Sequence, residues 1–314
     1  MRDEPPSSGR SEATGYPRRK FLLGAAAAGG AAIVAGGAAI AATSRHHPAA
    51  APIARPTAGA SAASAAKGVG AWKFPGANQA LADSGVSWYY TWGPNPDGLA
   101  PPADVQFVPM IWGATDVNPA ELSQVAQAGS ILLGFNEPDN PVQSKMTATQ
   151  ALSLWPRLMA TGMTLGSPAV ARSADVPGSW LGQFMSGAGA RKYRVDFITA
   201  HWYGANFDTT AAVSGLESYL KAIYARYGLP IWLTEFALGD EASNNYPTDS
   251  QQAAFVTAST AMLQTLPYLQ RYAWFALPRD KTFGNTGLYT SGPVATPAGR
   301  AYQAVAAHAS RPGG

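Results

Sequence analysis

Two glutamates at the ends of apolar runs are the residues of this chain best placed to do chemistry. Glu137 follows SILLGFN (130–136) and precedes Pro138, and Glu235 sits in PIWLTEF (230–236). Two carboxylates that share one site can divide acid–base work. One, protonated, donates to a leaving oxygen, while the other, ionised, attacks carbon or activates water; their mutual repulsion separates their proton affinities. The chemistry that needs such a pair is glycoside hydrolysis. His201 and Tyr203 end another run, and Trp92, Trp112 and Trp274 end three more. Aromatic rings beside a carboxylate pair suit a sugar, whose C–H faces stack on them. A single glutamate of this kind is as easily a satisfied structural carboxylate as a reactive one. Two at the ends of separate apolar strands argue for a reaction.

Other chemistries find less support. There is no cysteine, so disulfides, thiolate zinc sites and a cysteine nucleophile are excluded. The histidines, His46, His47, His201 and His308, form no HxxxH or HExxH pattern. No metal and no cofactor is expected. The net charge is +3, and much of the basic excess precedes Pro56 (Arg2, Arg10, Arg18, Arg19, Lys20, Arg45, Arg55). The remainder is near neutral and carries no footprint for nucleic acid or an anionic membrane.

Something must hold these side chains together. Eight short runs read as strands: GVGAW (68–72), VSWYYTW (86–92), VQFVPMIW (105–112), SILLGFN (130–136), MTLGSP (163–168), DFITAHWY (196–203), PIWLTEF (230–236) and RYAWFAL (271–277). Several are nearly continuous in apolar character, as strands covered on both faces are. Helices are expected from Asn118-Pro119 onward, over 147–160, 210–227 and 250–266, and from Thr296-Pro297 through Ala307. The stretch from Gly93 to Asp104 is too short and too proline-rich for one. Strands and helices alternating over roughly 245 residues predict a compact (β/α)8 TIM barrel with a shortened segment after strand two. An open doubly wound sheet is the alternative, but no GxGxxG or phosphate loop supports a nucleotide-binding version.

In a barrel the active site lies at the C-terminal ends of the strands. That rim would gather Glu137, Glu235, Asn136, His201, Tyr203, Trp92, Trp112 and Trp274. Strand alternation puts Trp232 and Thr234 on the face opposite Glu235, and the remaining aromatics, Tyr90 among them, read as packing. Pro138 should keep Glu137 extended. Asn136 and Glu137 can both serve one site only if the backbone there leaves regular β geometry.

The N-terminal part reads differently. Arg18-Arg19-Lys20-Phe21-Leu22 precedes an Ala/Gly-rich apolar run to Ala42. This is the layout of a twin-arginine-type export signal over 1–42, with membrane anchoring by 21–42 as the alternative. An Ala/Pro/Ser linker is expected over 43–66 and the catalytic domain over 67–310.

GFNEPD, SPAV, HWYG and WLTEFAL, in this order, resemble the glycosyl hydrolase catalytic-core proteins of glycoside hydrolase family 128. The resemblance covers about Gly68 to Ala307. It implies a retaining β-1,3-glucanase of the (β/α)8 clan, with Glu137 as general acid/base and Glu235 as nucleophile. Asn136 would bind the sugar 2-hydroxyl, His201 and Tyr203 would line the site and orient Glu235, and Trp274 would form an aromatic floor. Trp92 and Trp112 would serve neighbouring subsites, and a cis bond is implied at Trp274–Phe275. The expected protein is secreted and monomeric, with a polysaccharide substrate, no nucleic acid and no protein partner. Related retaining glycosidases on β-1,4-glucan, xylan or mannan, and a non-catalytic carbohydrate-binding barrel, are the alternatives.

Overall fold

The structure is a computed structural model and describes residues 65–240, 243–290 and 294–306. The expected export signal (1–42) and nearly all of the expected linker lie outside these residues. Ala65 and Ala66, at the end of that linker, are buried, and Ala66 opens the first strand.

The strands are β1 Ala66–Gly70, β2 Trp88–Tyr90, β3 Gln106–Phe107, β4 Ile131–Leu132, β5 Thr164–Leu165, β6 Ile198–Gly204, β7 Ile231–Leu238 and β8 Leu269–Trp274. All the strand ladders are parallel. Six strands form one sheet in the order β3-β2-β1-β8-β7-β6, and β4 pairs with β5. Single parallel bridges join the two groups at both seams, Met110 to Leu133 and Gly166 to Phe197. The strand order is therefore that of a (β/α)8 barrel, with short ladders on the β3–β6 side. Gly134 lies in that thin part of the wall. A Cβ there would come within 2.8 Å of the Gly166 carbonyl oxygen, so the β4 and β5 exits can approach only around a glycine.

The helices are α1 Ala77–Asp83, α2 Pro119–Ala128, α3 Ala148–Met159, α4 Trp180–Ala190, α5 Thr209–Tyr227, α6 Asp249–Leu263 and α7 Pro297–Gln303. Their starts follow local chemistry. Asn118 caps α2 ahead of Pro119, and Thr296 caps α7 ahead of Pro297. Thr147 with Gln150 and Thr248 with Gln251 form capping boxes on α3 and α6. No helix separates β2 from β3 among the described residues, as the proline-rich stretch predicts. Helices α1 and α4 do not stand out in the sequence. The glycines at 182, 187 and 189 weaken the intrinsic signal of α4, and packing of Leu181, Phe184 and Ala188 supports it instead. Among the described residues, no helix is long and apolar enough to cross a membrane.

Apolar residues form two layers. An outer layer packs strands against helices and contains Phe135, Trp155, Leu233, Phe236, Phe255 and Trp274. An inner layer fills the barrel with Trp88, Tyr90, Trp92, Phe197, Trp232 and Phe275. The barrel interior is thus a packed core rather than a channel. At its N-terminal floor the Arg271 guanidinium lies 4.2 Å from the Trp232 ring and 5.6 Å from that of Trp88, and donates to Gln106 Oε1 at 2.8 Å. Nearby, Lys67 Nζ donates to the carbonyl oxygens of Tyr302 and Val305 at the end of α7. That ties the first strand to the last helix.

Candidate active site

Glu137 and Glu235 meet at the barrel mouth. One carboxylate oxygen of each, together with His201 Nδ1 or Nε2, lies within 4.8 Å of the others, and all three residues are buried. His201 Nδ1 lies 3.0 Å from Glu137 Oε1 and 3.5 Å from Glu235 Oε2, so the ring stands between the two acids. Burial favours its neutral form. The charge of Glu235, the hydrogen bond and charge of Glu137, and the charge of Asp139 outweigh that, and the ring holds its proton above the ordinary histidine value.

Glu235 is gripped on both oxygens. Trp92 Nε1 donates to Oε1 at 2.7 Å and the Tyr203 hydroxyl donates to Oε2 at 2.5 Å. The Tyr90 hydroxyl lies 3.3 Å from Oε1 and 2.9 Å from the Thr234 carbonyl oxygen. Burial raises the Glu235 carboxyl above the ordinary glutamate value. The charge of His201 opposes this, the charge of Glu137 adds to it, and the Tyr203 and Trp92 donors oppose it. Glu137 receives Asn140 Nδ2 on Oε2 at 2.9 Å. Three ligand atoms this close could hold a cation, but the Glu235 oxygens are already taken by indole and phenol donors, which a cation would have to displace. The arrangement is built for proton chemistry.

The backbone at the mouth is unusual where the sequence demanded it. Glu137 has φ 41°, and its N–H donates to the Ala169 carbonyl oxygen. The departure from β geometry at Asn136–Glu137 is present, but Pro138 does not keep Glu137 extended; the residue lies in the left-handed region. Trp92 also has a positive φ, 57°. For bulky residues such conformations cost about 1–3 kcal/mol each and persist only where the surroundings enforce them. Gly70 makes room for the Trp92 ring: a Cβ there would lie 2.5 Å from it.

Of the residues singled out in the sequence, Glu137, Glu235, Asn136, His201, Tyr203 and Trp92 come together. Asn136 is buried, its Nδ2 makes a long 3.4 Å contact to Gln143, and its Oδ1 has no hydrogen-bond partner among the described residues. Trp112 is half-buried against the inner layer, and its carbonyl oxygen accepts the Asn136 N–H. Trp274 is not at the mouth. It is fully buried in the outer layer against Phe236 and Phe255, with Nε1 donating to the Thr286 carbonyl oxygen. The ring that strand eight turns inward is the next one, Phe275, which packs edge-on to Trp92 and Tyr203. The cis bond likewise falls one position later than expected, at Phe275–Ala276.

Trp232 is a second correction. It shares the inner layer with the Glu235 partners Tyr90 and Trp92 because the β7–β8 register shifts between Leu233 and Phe236, which breaks the two-residue alternation. Tyr90, Asn140, Trp72 and Phe275 were not anticipated as site residues. Trp88, Tyr90 and Trp92 recur at a spacing of two, which was a readable sign that Tyr90 faces inward with Trp92. Trp72, just after β1, stands 5.9 Å from Trp92.

A family described as glycosyl hydrolase catalytic core matches residues 69–302. The chain belongs to this family. Within it, the solved relatives identify the chain as a member of glycoside hydrolase family 128. A subgroup I endo-β-1,3-glucanase from Amycolatopsis mediterranei, solved in complex with laminaritriose, is 52% identical over 76% of this chain and 98% of its own, with a TM-score of 0.73. A subgroup II endo-β-1,3-glucanase from Sorangium cellulosum is 28% identical over 78% of this chain and all of its own (100%), with a TM-score of 0.66. Alkali-sensitive linkage protein 1 of Schizosaccharomyces pombe is 35% identical over 217 residues; the match covers 66% of this chain but only 38% of that protein. This family member is a glycoside hydrolase with an α/β barrel fold.

Proposed function

We propose that this chain cleaves β-1,3-glucan within the polymer by retaining double displacement. Glu235 is the nucleophile and Glu137 the general acid/base. The observation that carries the mechanism is the carboxylate geometry. Oxygens of the two acids approach within 4.8 Å. So close an approach favours the roughly 5–5.5 Å carboxyl separation of retaining enzymes over the roughly 6.5–9.5 Å of inverting ones.

The surroundings assign the roles. Glu235 faces indole and phenol donors on both oxygens, which hold an anion in place for attack on the anomeric carbon. Glu137 protonates the departing glycosidic oxygen, and its carboxylate then takes a proton from the water that releases the glycosyl-enzyme. Between them stands His201, whose proton the charges of both acids favour, which offsets the build-up of negative charge. Asn136, with its buried Oδ1 unpartnered, is available to a sugar hydroxyl. The half-buried Trp72 and Trp112, packed against the layer that holds Trp92 and Phe275, offer apolar faces to a sugar.

The linkage rests on relatives: the enzyme from Amycolatopsis mediterranei was also solved as a glutamate-to-glutamine variant in complex with laminarihexaose. A secreted enzyme acting on external polysaccharide agrees with the paired arginines at 18 and 19 ahead of an apolar run. The test is hydrolysis of laminarin beside cellulose, xylan and mannan by the wild type, Glu137→Gln and Glu235→Gln. Laminarin alone should be cut, by the wild type alone. Full activity in either variant would remove that glutamate from the mechanism.

A further inference from the structure

Asn140 is the residue that the proposed mechanism leaves without a part. It is buried, three positions after Glu137, and its side chain is fixed at both ends. Its Oδ1 accepts the Val142 N–H at 3.2 Å, and its own N–H donates to the Glu137 carbonyl oxygen at 3.0 Å. The first of these contacts decides which way the amide faces. An oxygen is required toward the Val142 N–H, so the NH2 must face Glu137 Oε2, where Nδ2 lies at 2.9 Å. An amide nitrogen can only donate. Asn140 therefore presents a permanent donor to one oxygen of the acid/base, while His201 stands at the other, 3.0 Å from Oε1.

We infer that Asn140 is a positioning residue that governs when Glu137 gives up its proton, by bonding its ionised form and by orienting Oε1 toward the reacting oxygen. The two half-reactions need Glu137 first protonated and then ionised. A donor on Oε2 favours the second state, in which the carboxylate activates water. The other titratable groups facing Glu137 are His201 from β6, Glu235 from β7, Tyr90 from β2 and Asp139 on its own loop, with Arg172 near Asp139. Among these neighbours it is the Asn140 amide that donates to Oε2, at 2.9 Å.

The inference rests on Glu137 as acid/base, and the experiment separates the two. The pH dependence of kcat/KM on laminarin is measured for the full chain, Asn140→Ala, Asn140→Asp and Glu137→Gln. Asn140→Asp keeps the oxygen that Val142 needs and places a carboxyl group against Glu137 Oε2. Asn140→Ala removes the donor and adds no charge. The alkaline limb should move to higher pH in both, by about one unit or more in Asn140→Asp and by less in Asn140→Ala. A purely structural role would lower kcat/KM at all pH values and leave the limb in place. Limbs at the wild-type position in both variants, with their folding transitions intact and Glu137→Gln inactive, would overturn the inference and leave the role of Glu137 standing. An active Glu137→Gln would overturn both.

Discussion

The two ends of the barrel treat buried charge in opposite ways. At the mouth, two carboxylates and a histidine lie within reach of one another, and each carboxylate is met by neutral donors. At the floor, a guanidinium lies over the Trp232 and Trp88 rings, and an ammonium is held by carbonyl oxygens. Among the described residues, the hydrogen bonds of these two cations go to carbonyl and amide oxygens. Burial pushes Lys67 down to about 8 and Arg271 to about 10. On the proposed mechanism the mouth gathers groups that change protonation during turnover, whereas the floor isolates groups that hold strands and the last helix in place. Activity should therefore be lost by small changes at the mouth, and stability by changes at the floor.

The largest expected effect is at Glu235. If Glu235 is the nucleophile, as proposed, Glu235→Gln should lower kcat on laminarin by on the order of 10⁴-fold or more. Its stability should move the other way. Because burial raises the Glu235 carboxyl, this group's contribution to stability is fully present below the unfolded-state value and is lost as pH rises through the folded-state value. Glutamine carries no such dependence. The midpoint of thermal unfolding of Glu235→Gln should therefore gain on the wild type as pH rises from 4 to 7. A gap that narrows with rising pH would contradict the electrostatic account of the mouth.

Loss of one donor to the nucleophile should cost less. Tyr203→Phe keeps the edge-on packing against Phe275 and removes the hydroxyl from Glu235 Oε2. A hydrogen bond to a charged group contributes about 1.5–3 kcal/mol, so kcat/KM should fall roughly 10- to 100-fold. Because the lost donor favoured the ionised acid, the acid limb of the pH profile should also move upward, from a wild-type position already above the ordinary glutamate value. A steady-state pH series on both proteins checks the fall and the shift.

The floor gives the reverse pattern. Arg271→Ala removes a side chain packed over two tryptophan rings and should destabilise the barrel by about 2–4 kcal/mol. Its kcat/KM, measured well below the unfolding temperature, should stay within a few-fold of wild type. A smaller effect still is expected from Trp274→Phe, which loses the bond to the Thr286 carbonyl oxygen. It should lower the unfolding midpoint and leave KM for laminari-oligosaccharides unchanged. A rise in KM would restore Trp274 to the substrate site.

These contrasts also explain what could be read from the chain alone. The barrel was legible because strand-length apolar runs alternate with capped helices, and Thr147, Thr248 and Thr296 mark helix starts as the sequence suggests. That Glu137 and Glu235 would meet was legible because both end apolar strands on one predicted rim. The direction each side chain faces was less legible. Counting by twos fails where the ladder shifts, between Ala200 and His201 and between Leu233 and Phe236. That is why Trp232 turns inward. Strand eight assigns the mouth to Phe275 rather than to the larger tryptophan beside it. Asn140 had no sequence signal at all, since its role follows from an amide orientation set by the Val142 N–H.

The central claim is that two close carboxylates act in succession through a glycosyl-enzyme. Proton NMR of laminarin during the first minutes of hydrolysis reads the anomer formed at the cut end before mutarotation mixes the two. The account predicts the β anomer first. An initial excess of the α anomer would mean a single inverting displacement and would contradict it.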